Sequence, residues 1–221
     1  MFKIIGLEIK KLNPMKLLRG IIIALIPIFF VQIGGLVQNP TLAFNIEDSW
    51  VNAVKISAYI LMVYGGSILS KCIIEEYKNR TINALFMYPV SRATILIAKL
   101  IVIVGSTFVV IIFCSFFSFF ITYAYAMLSG FEITGSMADI FSVVSIKEFW
   151  MDAIIFSIMP LIGLPLGIKR HSTVAPIIGL MIMFLLFSQL PSLSWLPIAV
   201  AAIALILTVP IVNNLIKADV S

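Results

Sequence analysis

The sequence predicts an all-α polytopic membrane protein with six transmembrane helices, an N-terminal amphipathic helix in the membrane interface, and a short cytoplasmic helical segment between spans two and three. Three observations predict it. Of 221 residues, 62% are hydrophobic and 11% charged, against roughly 45–50% and about 25% in soluble domains, so the chain lacks the polar residues to cover itself in water. The apolar residues are gathered in runs of about 20, enough to cross roughly 30 Å of hydrocarbon, rather than alternating over about ten residues as barrel strands do. Finally, Lys and Arg collect on alternate sides of those runs.

Residues 1–14 form the first element. Phe2, Ile5, Ile9 and Leu12 recur on one helical face with Lys3 and Lys10 opposite, as in a helix lying in the interface, and Pro14 is expected to end it. A plain basic flank that only sets topology is the simpler alternative. The first span follows at about 17–37. Its apolar run exceeds the 7–15 residues of a signal sequence and has no small-residue cleavage pattern after it, so it is read as uncleaved.

The second span is expected at 52–74, after the polar stretch containing Gln38, Asn39, Pro40, Glu47 and Asp48. The third, 95–128, would extend about 50 Å and must tilt or protrude. The fourth, fifth and sixth are placed at 150–168, 173–190 and 195–216, with Lys169, Arg170 and His171 dividing the fourth from the fifth. Pro160 and Pro165 make a kink more natural than a dimer seam at Gly163 and Gly167, and Pro27 and Pro210 imply further kinks. Ser115, Ser118 and Thr122 form a polar stripe on the third span, read as helix packing. No connecting stretch is long enough to fold alone, so 1–221 is one membrane domain.

With the N-terminus inside, Lys3, Lys10, Lys11, Lys16, Arg19, Lys71, Lys78, Arg80, Arg92, Lys99, Lys169, Arg170 and Lys217 are all cytoplasmic, which is 13 of the 15 basic residues. Lys55 and Lys147 remain outside. This bias places both termini in the cytoplasm of a multi-pass cell-membrane protein. The same placement explains the net charge of +5 without nucleic acid as a partner. The Asn79-Arg80-Thr81 sequon faces the cytoplasm and is no acceptor.

Several chemistries are excluded. No GxxxxGK[ST] phosphate loop occurs, so the chain is expected to hydrolyse no ATP itself. Cys72 and Cys114 lack ligand-spaced Cys or His neighbours, so no metal site is expected. Lys55, Lys71, Lys99 and Asp152 lie near span ends, where they are expected to snorkel, and no carboxylate or histidine sits mid-span for ion coupling.

The densest polar information lies in 75–94, between spans two and three. Glu75, Glu76 and Arg80 match an EExxxR pattern resembling CAAX-type intramembrane proteases. The partner motifs of that family are missing, because the only histidine, His171, has Gly167 four residues before it and Ala175 four after. Read as a whole, the segment has Ile82, Leu85 and Phe86 on one apolar face, stopped by Pro89, with Glu76 and Arg80 spaced for an exposed ion pair.

In this order and placement, Glu76, Thr81, Leu85, Pro89, Ser91, Arg92 and Lys99 resemble the cytoplasmic coupling region of ABC-2 type transporter permeases; Arg80 stands where members of that family often carry Gly. The resemblance extends to six spans, cytoplasmic termini and a basic N-terminal helix. It implies a permease subunit that is not itself an enzyme and needs no cofactor. ATP and Mg would be bound by a separate cytoplasmic ABC ATPase subunit.

The resemblance also implies a second permease copy, identical or paralogous, surrounding membrane lipid, and an ATPase-coupling interface formed by Glu76, Arg80, Thr81, Ile82, Leu85, Phe86, Pro89, Ser91 and Arg92. The expected cargo is amphiphilic, with export of, or immunity to, antimicrobial peptides as the family precedent. Two other readings stand beside it: an intramembrane hydrolase using Glu75 and Glu76, and a membrane scaffold that moves nothing.

Overall fold

The computed structural model describes residues 2–11, 14–38, 43–78, 92–170, 172–189 and 195–220. Helix α1 spans Phe2–Lys11 and α2 spans Pro14–Gln38. Pro14 therefore opens the second helix rather than closing the first. Proline suits a first helical position because its missing N–H would have no partner there.

A two-residue strand β1, Phe44–Asn45, leads into α3, Ile46–Leu69, which continues through a π-helical turn, Ser70–Ile74, into α4, Glu75–Lys78. Then come α5, Arg92–Leu128; strand β2, Ile133–Thr134; a 3-10 turn, Met137–Phe141; and α6, Val143–Ile158. A second 3-10 turn, Met159–Ile162, passes into α7, Gly163–Arg170, followed by α8, Val174–Gln189, and α9, Leu196–Val220.

Among the described residues, five stretches are long and apolar enough to cross a membrane: Leu17–Val37, Ile46–Ile74, Thr94–Leu128, Ser145–Arg170 and Leu196–Asn213. The span expected at 173–190 falls on α8, whose 16 residues extend only about 24 Å. The second span begins six residues earlier than expected. Asn45 caps α3, its Oδ1 accepting from the Glu47 amide at 3.0 Å, and Glu47 and Asp48 occupy the first turn. Acids there oppose the helix dipole favourably, so residues that look like loop by polarity are helix by capping. The fourth span likewise starts before 150, since Ser142 caps α6 by accepting from the Ser145 amide.

Helix α3 is the hub, packed on α2, α5, α6 and α8. The core has three layers along the bundle. Phe44, Trp50, Phe119 and Phe149 fill the end that carries the strands. Leu61, Met62, Ile111, Phe156 and Leu180 fill the middle, and Leu69, Ile73, Ile74, Ile103 and Leu164 fill the end near α4.

Glycines let the helices approach. A Cβ on Gly65 would lie 2.5 Å from Pro160 Cγ and 2.9 Å from Thr107 Oγ1, and one on Gly66 would lie 2.3 Å from Leu180 Cδ1. Gly163 and Gly167 press on Pro176 of α8. The expected break at Pro160 is present as the 3-10 turn, and the glycine pair is in addition a helix seam, made within the chain. Helices α2 and α9 continue through Pro27 and Pro210. The strands pair in parallel, Phe44 with Ile133 and Asn45 with Thr134, and the connection into and out of β2 turns on Gly130 and Gly135 at φ 74° and 94°. Such angles favour glycine because it has no Cβ.

Large apolar side chains left exposed, among them Phe30 and Ile23 on α2, Leu185 on α8 and Ile206 on α9, would aggregate in water but match the hydrocarbon of a bilayer.

Candidate functional site

The site is a buried ion cluster where α1, the end of α3 and the start of α5 meet. Lys99 lies two turns into α5 and is 3% exposed. Its ammonium is 2.9 Å from Glu76 Oε2 and 3.2 Å from Glu8 Oε2, and it donates at 3.2 Å to the Cys72 carbonyl. An ammonium has three protons, and these three partners can take all of them. Two carboxylates around one lysine compensate a charge that would be costly alone at this depth.

The local backbone explains how the partners converge. In the π turn the Glu75 amide bonds back to the Ser70 carbonyl, five residues away. The extra residue rotates the following chain by about 100° relative to an uninterrupted α-helix, a device common at functional sites. In that register Glu76 and the Cys72 carbonyl both reach Lys99. The third partner comes from α1, which lies along α5.

This geometry corrects two expectations. Lys99 does not snorkel to the interface, because its charge is already satisfied inside the bundle. Glu76, expected in an exposed pair with Arg80, has its side chain only 12% exposed and paired with Lys99. Arg80, Thr81, Ile82, Leu85, Phe86, Pro89 and Ser91, like His171, lie outside the described residues; Arg92 is the first residue of α5.

Glu8 was not singled out from the sequence. Its signal is nevertheless there: it is the sole acid of a basic helix, and it sits three residues after Ile5 and four before Leu12, inside the apolar stripe. The Glu75 and Glu76 side chains do not share one environment, since Glu75 is exposed and Glu76 is tied to Lys99. Glu75 and Glu76 therefore do not form a carboxylate pair around one shared water. Among the described residues, no group of three or more His, Cys, Asp or Glu is placed to hold a metal ion.

The opposite end carries a looser polar set. Glu47 accepts from Ser145 Oγ at 3.2 Å and Ser142 Oγ at 3.3 Å, tying the start of α3 to that of α6. Lys55 and Glu148 stand 3.6 Å apart and nearly half exposed, which makes that pair worth under about 1 kcal/mol.

Comparison with known proteins bears on the same regions. The family described as "ABC-2 family transporter protein" matches residues 4–189. The uncharacterized protein YcbO of Bacillus subtilis (strain 168) is 30% identical, over 98% of this chain and 99% of its own. No solved structure matches. Because the family match runs from α1 through α8 and takes in all three members of the ion cluster, the chain belongs to the ABC-2 family of transporter proteins.

Proposed function

We propose that this chain is the permease subunit of an ATP-binding cassette exporter, crossing the cell membrane six times with both termini cytoplasmic. It pairs with a second permease copy and takes its energy from a separate ATPase subunit. Segment 75–94 is the coupling element: Ile82, Leu85 and Phe86 seat in a groove of the ATPase, and Glu76, Arg80, Thr81, Pro89, Ser91 and Arg92 shape the approach. The cargo is amphiphilic, with peptides the first class to test.

The observation that carries this reading is the Lys99 cluster at the mouth of the segment. Glu76 stands at the start of the segment and Lys99 just beyond its end, and Lys99 ties Glu76 to Glu8 of α1. A force applied to the segment is thereby delivered to α1, α3 and α5 together rather than absorbed by a frayed helix end.

The test is co-purification with the proposed ATPase subunit. Leu85→Asp or Phe86→Asp puts an unpaired charge into the proposed contact, which costs on the order of several kcal/mol if fully desolvated, while insertion of the spans is unchanged. The ATPase should be lost from the purified complex by either substitution. Retention of both the ATPase and transport in Phe86→Asp would overturn the coupling assignment.

Orientation has its own check. A cysteine introduced at Thr134 should react with an impermeant thiol reagent on intact cells, and one at Ser172 should react only after permeabilisation. Equal labelling of the two would reverse or abolish the topology.

A further inference from the structure

The π turn at the end of α3 lies in a stretch of sequence that repeats in pairs, Ile73-Ile74 followed by Glu75-Glu76. The pairing matters because a π turn is in effect one residue inserted into an α-helix. Beyond the turn, each residue stands where its predecessor in sequence would stand if α3 ran on without interruption. Glu76 therefore occupies the position that Glu75 would take in a plain α-helix.

Lys99 faces that position. It holds Glu76 at 2.9 Å and the Cys72 carbonyl, inside the turn, at 3.2 Å, while Glu75 is exposed. The turn is closed by the Glu75 amide donating to the Ser70 carbonyl. If it tightened into α-helix, that amide would donate instead to the Lys71 carbonyl, four residues back. Glu75 would then arrive opposite Lys99 as Glu76 turned away.

The apolar side of the turn has the same property. Ile74 is fully buried and packs on Gly167 of α7, where a Cβ would collide with it, and Ile73 is 1% exposed. A shift of one residue carries Ile73 toward the place of Ile74, isoleucine for isoleucine, so the side-chain volume offered to α7 is unchanged. The Ser70 hydroxyl at the start of the turn is buried and makes no hydrogen bond among the described residues, so it does not pin the wider turn. An acid followed by an unlike residue would suit Lys99 in one register only, and in the other a buried ammonium now compensated by two carboxylates would keep one.

We infer that the end of α3 is a one-residue register switch, in which Lys99 pairs with Glu76 when the π turn is present and with Glu75 when the turn closes into α-helix. The coupling segment can then rotate by about 100° and advance about 1.5 Å while Lys99 keeps two carboxylates. The inference deepens the coupling reading and rests on it for its part in transport. The switch itself is measured on the full chain without the ATPase, so loss of co-purification and absence of a second register are separate failures.

The experiment is a double-mutant cycle by denaturant titration in detergent. In the parent, Glu75→Gln should change the unfolding equilibrium constant by less than about twofold, as surface substitutions do. In the Glu76→Gln background, where Glu75 has become the acid on Lys99, the same substitution should raise it about tenfold, the worth of one hydrogen bond to a charged group. Glu76→Asp, which shortens the acid but keeps its charge, should show a smaller coupling of the same sign, and it serves where Glu76→Gln fails to accumulate. A Glu75→Gln change that is equally silent in every background would overturn the inference.

The rotation has its own readout. Spin labels at Lys78, the last residue of α4, and at Arg170, the last of α7, are placed in a chain whose own cysteines are replaced by alanine. A turn of about 100° displaces a group on the helix surface by up to about 8 Å. The parent and Glu75→Gln should share one distance, and Glu76→Gln should populate a second. One distance common to all three would mean a fixed π turn and would overturn the switch.

Discussion

Lys99→Met should destabilise the purified protein by about 3–5 kcal/mol, the usual cost of removing one partner from a buried ion pair. The reason is the company Lys99 keeps. Without its ammonium, Glu8 and Glu76 are two carboxylates facing one buried position with side chains only 13% and 12% exposed, and the Cys72 carbonyl loses the hydrogen bond it accepts from Lys99. Glu8→Gln or Glu76→Gln alone should cost less, about 1–3 kcal/mol, because Lys99 keeps one carboxylate and the carbonyl.

The informative variant is the triple, Glu8→Gln with Glu76→Gln and Lys99→Met, which removes every charge and should recover much of the loss, since well-packed neutral groups replace buried ions at little net cost. The measurement is a denaturant titration in detergent followed by near-UV circular dichroism. A Lys99→Met protein as stable as the parent would mean that the cluster is not desolvated as described. If the triple variant is stable but no longer transports with its ATPase, the cluster serves force transfer rather than folding alone.

Gly65→Leu should be at least as damaging, and by a different mechanism. A side chain at this position meets Pro160 and Thr107 together. Neither can yield: the proline ring is rigid and stands in the 3-10 turn, and the Thr107 hydroxyl is fully buried and donates to the Ile103 carbonyl at 2.8 Å. Helices α3, α5 and the break after α6 would have to separate, and overpacking of this kind costs about 1–3 kcal/mol for a methyl and more for an isobutyl group. Gly65→Ala should therefore destabilise even though alanine is favoured over glycine in a helix by about 1 kcal/mol. Gly105→Ala is the control. Nothing lies within 4 Å of a Cβ there, so only the helix preference acts and the protein should gain about 0.5–1 kcal/mol. Unfolding curves in which Gly65→Leu and Gly105→Ala behave alike would refute the packing of α3 against α5 and α6.

The amino-acid sequence by itself determined the solvent and the elements. Apolar runs are local in the chain, so the stretch Leu17–Val37, long and apolar enough to span, and the helix Arg92–Leu128 lie close to where hydropathy alone puts them, and the 3-10 turn is marked by Pro160 itself. Starts set by capping were legible in principle, in Asn45 with Glu47 and Asp48, but hydropathy alone moved them inward. The family was readable because the order Glu76, Thr81, Leu85, Pro89, Ser91, Arg92 and Lys99 is itself a sequence property.

What only the tertiary structure decided is which charges meet. Glu8 and Lys99 are 91 residues apart, and no periodicity links them; their contact depends on α1 lying along α5 and on a π turn whose extra residue shifts the register of Glu76. The same holds for Gln32 and Thr122, 90 residues apart, and for glycines whose value is the distance to another helix. In a chain where nearly every helix is apolar all round, hydrophobic pattern does not say which face turns inward, so the placement of each buried polar group was settled by packing.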